Sequence, residues 1–557
     1  MKMKTRHTAI LVLAASPWWA MAQQNRNGAI SEQVEVTRQY NYDPDRSVHK
    51  LDVQPQMIDT TTIRPDFSYS IEPAPYLEPF EAPTLRPMRV NAERYRYLTP
   101  YYLKVGAGWP WNGVLDFYMA DRNEQGLSYG ASLNHLGQYD RARTDLPADL
   151  GGGSRRAFDL RNRAGAFLGK ELGRYDLRAE IDANYDLYDS YGQFAIDSRP
   201  LTDYGASDKL NYKGLKIDVE GGNDFSNMSY FNFRMGGGLD MFTDRTNLWE
   251  SHVEAFAQIG KTFGEIHHIT LEGEYCNYFK RKDEQCFTVS PLYTTHYDNL
   301  NFRLGANIAI EHGKTWIFPV VSLSCDIVHG YLTPFIDLDG RFEHGDLRRT
   351  VRLNPYVGDN VEVEDMGEYN FKGGIMGSLS QRLSYKVFAG VNFYRDMSFF
   401  AGDYREGSTS RFIVLTDNCT AYTLGGTIDY RVADRLHLWA SANINAYHMD
   451  HYKKAGGLPL GNIALGGQWN FARRWSATLS GEVIGSRHFY SWVDSDQTVW
   501  INKVDPCFDL KAKLGCRLSR FISLWAEGDN LCGSRLYPWN HYRSVGAAFT
   551  AGATMSF

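Results

Sequence analysis

The chain has 557 residues, with 59 Lys and Arg against 65 Asp and Glu and a formal net charge of -6. Aromatics make up 14% of it and glycine contributes 51 residues, yet the mean hydropathy is -0.42. Many aromatics on a polar average exclude a helical membrane protein and a disordered chain, and the lack of a basic cluster argues against nucleic acid as a partner.

Residues 1–22 have the three parts of a secretory signal. Lys2, Lys4 and Arg6 are followed by the apolar run Thr8 to Ala15 and by Ala20-Met21-Ala22 before Gln23. The run is too short to cross ~30 Å of hydrocarbon, and Gln23 is not the cysteine that lipid attachment needs. Residues 23–99 form a second segment, and nine of the twenty prolines fall between Pro44 and Pro100, just past its end. Its densest stretch, Ile71-Glu72-Pro73-Ala74-Pro75-Tyr76-Leu77-Glu78-Pro79-Phe80, can be neither helix nor central strand and is expected to be extended. Composition alone reads as a linker. The apolar Tyr69, Ile71, Tyr76, Leu77 and Phe80 read instead as a strap that docks in or under the following domain, or on a partner.

From Tyr101 onward the chain alternates strictly. In 175–187, Tyr175, Leu177, Ala179, Ile181, Ala183, Tyr185 and Leu187 share one face, and Asp176, Arg178, Glu180, Asp182, Asn184 and Asp186 the other. Residues 508–518 and 545–557 repeat the pattern. Soluble sandwiches also alternate, but their strands are usually about five or six residues long. These runs reach eleven to thirteen, matching the ~9–11 tilted residues that cross a bilayer. The connections are unequal as well. Gly173-Arg174, Ala433-Asp434, Arg473-Arg474 and Ser519-Arg520 are tight, whereas 138–155, 189–206, 344–367 and 486–507 are long. The last residue, Phe557, lies on the apolar face of its strand, where it resembles the signal read by bacterial barrel-assembly machinery.

The expectation is an all-β chain, a transmembrane antiparallel β-barrel over 100–557 with about 22 strands (range 16–22) in the outer membrane. Strands are expected to begin near residues 101, 113, 126, 156, 175, 207, 227, 249, 267, 286, 297, 315, 332, 368, 385, 412, 435, 463, 475, 508, 521 and 544. Both barrel ends then fall on the rim of tight turns, the periplasmic one. Tyr175, Tyr185, Trp249, Trp439 and Trp475 are candidates for the interfacial aromatic belts, with an inward orientation of some of them as the alternative. The surrounding lipid is the one partner the pattern requires.

Seven cysteines without a CxxC make neither a disulfide scaffold nor a metal motif. If Ser519-Arg520 is a two-residue turn, opposite residues have numbers summing to 1039, which pairs Cys507 with Cys532 as a candidate disulfide. Cys276 and Cys286 flank a second hairpin tip near Arg281.

The final fifty residues carry a family resemblance. Phe508-Asp509-Leu510-Lys511, the run Arg520 to Leu531, Arg535-Leu536-Tyr537-Pro538-Trp539 and Gly546 to Phe557 resemble the closing strands of TonB-dependent receptors. With Tyr101 to Gly108, the chain is similar from about residue 60 onward to a receptor-like barrel family of the Bacteroidetes that lacks a recognisable plug. The resemblance implies passage or uptake of a solute across the outer membrane. It departs from those receptors before the barrel, because residues 23–99 leave no room for a globular plug, and Val34-Glu35-Val36-Thr37 is only a faint TonB box. A lumen of 22 strands needs filling by the strap, the long loops or a partner. The alternative is a non-transport subunit of a larger outer-membrane assembly, such as the barrel-assembly machinery or a surface-lipoprotein complex.

No catalytic, cofactor or metal constellation emerges from spacing, and no enzymatic activity is expected. His267 and His268 are adjacent on a strand and point to opposite faces. Gly151-Gly152-Gly153 reads as a flexible loop, since no strand-to-helix unit follows. The acidic side chains of 176–182 read as lumen charge, with cation binding as the rarer alternative.

Overall fold

The computed structural model describes residues 99–557 except 197–198, 203–208, 224–230, 248, 265, 280–283, 312, 360, 362, 404–411, 434 and 493–498. The expected export signal at 1–22, Val34 to Thr37 and the expected strap residues Tyr69, Ile71, Tyr76, Leu77 and Phe80 lie outside the described residues.

Alternation over long runs gives each strand one apolar and one polar face, and a sheet of such strands in hydrocarbon must close to satisfy its edge groups. It does close. The main sheet has 24 strands, of which Arg487–Trp492 and Val499–Val504 form a hairpin standing off the wall, leaving a ring of 22. Neighbours are antiparallel throughout the ring, and Trp475–Ile484 pairs directly with Cys507–Arg517 past that hairpin. The seam joins Tyr101–Trp109 to Ala548–Ser556 through registers running from Tyr102 opposite Ser556 to Trp109 opposite Phe549. At the seam the Trp525 indole lies against Gly106 and Gly552. A Cβ on Gly106 would stand 2.5 Å from it and one on Gly552 2.7 Å, so both positions exclude a side chain. Lys104 Nζ sits 4.6 Å from the centre of the same ring.

All 22 strands begin within five residues of their expected onsets, the widest gaps being 227 against Asn232 and 544 against Ala548. The short connections 173–174, 298–299, 381–382 and 473–474 lie on one rim with both barrel ends, where Tyr101 and Phe557 exchange backbone hydrogen bonds of 3.0 Å and stack their rings. The opposite rim carries the long connections 139–158, 190–208, 344–365, 485–506 and 530–547.

Leu168, Leu177, Ile217, Val253, Ile269 and Leu424 stand exposed on the outer wall. The alternate positions turn polar side chains into the lumen, as Asp176, Arg178, Glu180 and Asp182 do opposite the exposed Tyr175, Leu177 and Ile181. A closed barrel with an apolar exterior of this extent belongs in the outer membrane. Tyr175, Tyr185 and Trp475 are exposed on the outer wall. Trp439 corrects the belt assignment: its neighbour Leu438 is exposed outside, and Trp439 packs inside against the Gly466 backbone and the His437 ring.

The Cys507–Cys532 expectation meets a different register. Arg517 lies opposite Ser523 and Ala512 opposite Gly528, so opposite numbers sum to 1040, not 1039. The turn is wider than two residues because Leu518 and Ser519 both donate to the Ile522 carbonyl. Pairing stops at Ala512–Gly528, Cys507 lies opposite Ile484 on the other side, Cys532 sits in the following loop, and both thiols are free. Cys276 and Cys286 do lie directly opposite each other.

Candidate functional site: a charged lumen under a loop cap

The inner wall is laced with ion pairs. Arg234 reaches Asp176 at 3.2 Å and Glu220 at 3.1 Å across neighbouring strands. Lys216 contacts Glu254 at 3.0 Å, Arg178 contacts Glu180 at 2.9 Å, and Arg341 bridges Glu343 and Glu368 at 2.7 and 2.9 Å. Asp176 and Glu180 of this strand are thus engaged by arginines within the wall. Pairs within and across strands hold side-chain positions while keeping the surface hydrophilic, which suits a polar path more than a packed core.

Above this wall the long loops meet. The connection 344–365 carries a short helix, Leu347–Leu353, whose N-terminus is capped by the Asp346 carboxylate accepting from the Arg349 amide at 2.6 Å. Leu347, Thr350 and Val351 are its buried face. Arg348 pins the helix to the wall by donating to Asn184 at 2.9 Å and Asp240 at 2.6 Å, and the Leu347 amide donates to Glu250 at 2.7 Å. Beyond the helix, the Pro355 carbonyl accepts from the Tyr212 hydroxyl at 2.8 Å, and Arg245 pairs with Asp359.

The connection 530–547 acts as the keystone. Tyr542, only 1% exposed, lies 4.1 Å from the Tyr356 ring, 4.9 Å from Tyr191 and 5.6 Å from Phe412, centroid to centroid. Its hydroxyl is 3.1 Å from that of Ser190. Tyr191 donates back to the Arg543 carbonyl at 3.0 Å, and a Cβ on Gly192 would come within 2.5 Å of the Tyr542 ring. The Tyr537 hydroxyl donates to Asp145 at 2.7 Å, and His541 Nδ1 stands 3.1 Å from the same carboxylate. Burial alone would raise the Asp145 carboxyl; the hydrogen bonds from His541 and Tyr537, with Arg543 nearby, overcome it and hold the group below its ordinary value. Burial and that carboxylate push the Tyr537 hydroxyl up to about 12. Arg487 and Ser491 of the off-wall hairpin hold the Tyr537 carbonyl and the Asn540 side chain, each at 2.7 Å.

These contacts span the mouth. Tyr188 and Tyr212 end strands early in the ring, whereas Phe400 and Phe412 belong to Leu383–Asp403 and Phe412–Ala433, ten strands further round, and all four share one buried cluster with Tyr356 and Tyr542. Loops from opposite walls therefore interlock above the lumen.

His267 and His268 face opposite sides of their strand, as expected, one reaching the Tyr293 hydroxyl and the other Thr262, both at 2.7 Å. Gly151 to Gly153 form a tight turn instead of a slack loop: Gly151 has φ of 86°, and a Cβ on Gly152 would meet the Leu146 carbonyl oxygen at 1.8 Å. Sequence reasoning did not find the cap residues Tyr191, Tyr356, Phe412 and Tyr542. For Tyr191, Tyr356 and Tyr542 the one sequence signal is the density of aromatics within connections that alternation leaves unassigned, whereas Phe412 opens an expected strand.

No protein-family model matches the sequence, and no curated protein does. Solved structures do match the fold. A variant of the ferric enterobactin receptor PfeA from Pseudomonas aeruginosa aligns with a TM-score of 0.61 at 13% identity, over 82% of this chain and 80% of that one. The siderophore receptor PirA from Acinetobacter baumannii gives 0.62 at 10% identity, covering 82% and 80%. The ferripyoverdine receptor of the outer membrane of Pseudomonas aeruginosa, bound to ferripyoverdine, gives 0.57 at 10%, covering 83% and 72%. At these identities the likeness is one of architecture: the chain is similar in fold to outer-membrane siderophore receptors.

Proposed function

We propose that the protein takes part in passage or uptake of a solute across the outer membrane, through a lumen closed from outside by its interlocked loops. The observation that carries this reading is the ion-paired inner wall beneath a cap made by several separate loops. A barrel serving only as a wall for neighbours needs an outer surface, not a continuous hydrophilic interior. The fold shared with siderophore receptors supports the same reading. Under this proposal residues 1–22 direct export, residues 23–99 lie at the periplasmic end as a strap, and Phe557 serves as the assembly signal.

The test is a mild-detergent pull-down of the tagged native protein from its own outer membrane, coupled to planar-bilayer recording of the purified full chain and of a form lacking 23–99. Recovery of TonB or of a solute-binding lipoprotein, with conductance that rises when 23–99 is deleted, is the expected result. Stoichiometric recovery of assembly machinery with no conductance in either form overturns the reading and makes the barrel a structural subunit.

A further inference from the structure

Two wall strands and both stems of the 344–365 loop bring four metal-ligating side chains to one place. Glu284 opens Glu284–Tyr297 and Glu311 closes Leu300–Glu311, while His344 directly follows Thr333–Glu343 and Asp365 directly precedes Met366–Ser380. One ligand atom from each lies within 4.8 Å of the other three. His344 Nδ1 is 3.4 Å from Glu311 Oε1 and 3.3 Å from Asp365 Oδ1. Nitrogen and oxygen donors bound at ~2.0–2.2 Å in a tetrahedral shell stand about 3.4 Å apart, so two edges already have the length of an occupied site. The remaining spacings need only side-chain adjustment.

The surroundings fit a ligand set and not a surface cluster. The side chains of Glu311, His344 and Asp365 are 8%, 14% and 15% exposed. Both ring nitrogens of His344 are buried without a hydrogen bond among the described residues, and the ring is held between Tyr278 and Phe342 at 4.8 and 5.0 Å. The Gly345 amide donates to Asp365 Oδ1 at 2.9 Å, the outer support that ligating carboxylates commonly have. The nearby guanidiniums of Arg341 and Arg349 engage Glu343 and Glu368. Three carboxylates and one imidazole converge there, a donor set suited to a first-row divalent cation and poorly suited to calcium, which takes oxygen ligands alone.

We propose that Glu284, Glu311, His344 and Asp365 bind one divalent transition-metal cation of the zinc or manganese class, which clamps both stems of the 344–365 loop to the barrel wall. That loop carries Leu347, Val351 and Tyr356 into the cap, so the metal fixes the base from which the cap is built. This site is independent of what crosses the lumen.

The experiment uses the untagged full-length protein in detergent, stripped with chelator and titrated separately with zinc chloride and manganese chloride by calorimetry. Amide exchange of 344–365 is followed in parallel. One equivalent of at least one metal is expected to bind, with affinity falling roughly tenfold or more in Glu311→Gln and in His344→Gln. Exchange in 344–365 is expected to slow with metal in the parent and not in the variants. Heat-modifiable migration verifies folding of each variant, and Glu284→Gln, at the outer strand end, replaces any that fails to insert. Absence of a stoichiometric site for both metals in the parent, or equal affinity in folded variants, overturns the proposal.

Discussion

Tyr542→Ala isolates the cap from the barrel. The ring is 1% exposed and touches Tyr191, Tyr356 and Phe412, which belong to other connections or strand ends. Removing a buried aromatic of this size costs ~3–5 kcal/mol, including the cavity left behind. The loss falls on the interlocked loops and not on the ladder of the wall, because none of these contacts closes the ring of strands. At about 1.4 kcal/mol per decade, the ratio of closed to open cap should drop by roughly two to nearly four orders of magnitude. Tyr542→Phe, which removes only the hydroxyl facing Ser190 at 3.1 Å, should cost about 1 kcal/mol, less than one decade. Amide exchange read by mass spectrometry should therefore accelerate in 344–365 and 530–547 in graded order, with strand amides unchanged, and single-channel recordings should show more frequent opening. Unchanged loop exchange in Tyr542→Ala refutes the keystone role. Acceleration spread evenly through the strands refutes the separation of cap from wall.

Further outcomes follow from other contacts. Arg348→Met leaves the 5% exposed Asp240 without its guanidinium; a buried pair broken on one side costs ~3–5 kcal/mol, and partial exposure of the arginine lowers this to about 2–3, read as faster proteolysis within 344–365. Asp145 is held below the ordinary carboxylate value of 3.8, so its contribution to the cap is complete above that value and disappears as pH falls through the lowered one. Protection of the amides in 139–158 and 530–547, corrected for the intrinsic pH dependence of exchange, should stay flat from neutrality to about pH 4 and then fall, and Asp145→Asn should abolish that step. Mild oxidation should link Cys276 to Cys286, which lie directly opposite, and leave Cys507 and Cys532 unlinked; non-reducing peptide mapping that finds the reverse would contradict the observed registers. Gly106→Leu places a side chain where a Cβ already meets the Trp525 indole at 2.5 Å, and the seam should lose ~1–3 kcal/mol, seen as a lower temperature for loss of the folded band on electrophoresis.

Strand positions were legible because a barrel wall imposes the same two-residue rule on every strand. Lipid outside and water inside leave Leu177 and Asp176 no freedom to exchange faces, so even the weak patterns at Tyr101, Asn112 and Glu284 lie where alternation puts them. The rule weakens wherever one side of the wall is neither lipid nor water. Trp439 is apolar yet faces inward, because packing against Gly466 and His437 offers it a site that alternation cannot anticipate. The register at 517–523 moved by one residue on the shape of a single turn, and with it the partner of Cys507.

A closed antiparallel barrel, its approximate strand number and the division into a short-turn and a long-loop rim were all readable from the chain. These depend on local periodicity and on the cost of unpaired backbone in hydrocarbon. The fold in three dimensions was needed to reveal that the long loops interlock across the mouth, that Tyr542 joins four chain segments, and that Glu284, Glu311, His344 and Asp365 converge. Those contacts join residues far apart along the chain, whose proximity is set by closing the ring and folding the loops inward. No period in the sequence encodes a distance measured across the barrel.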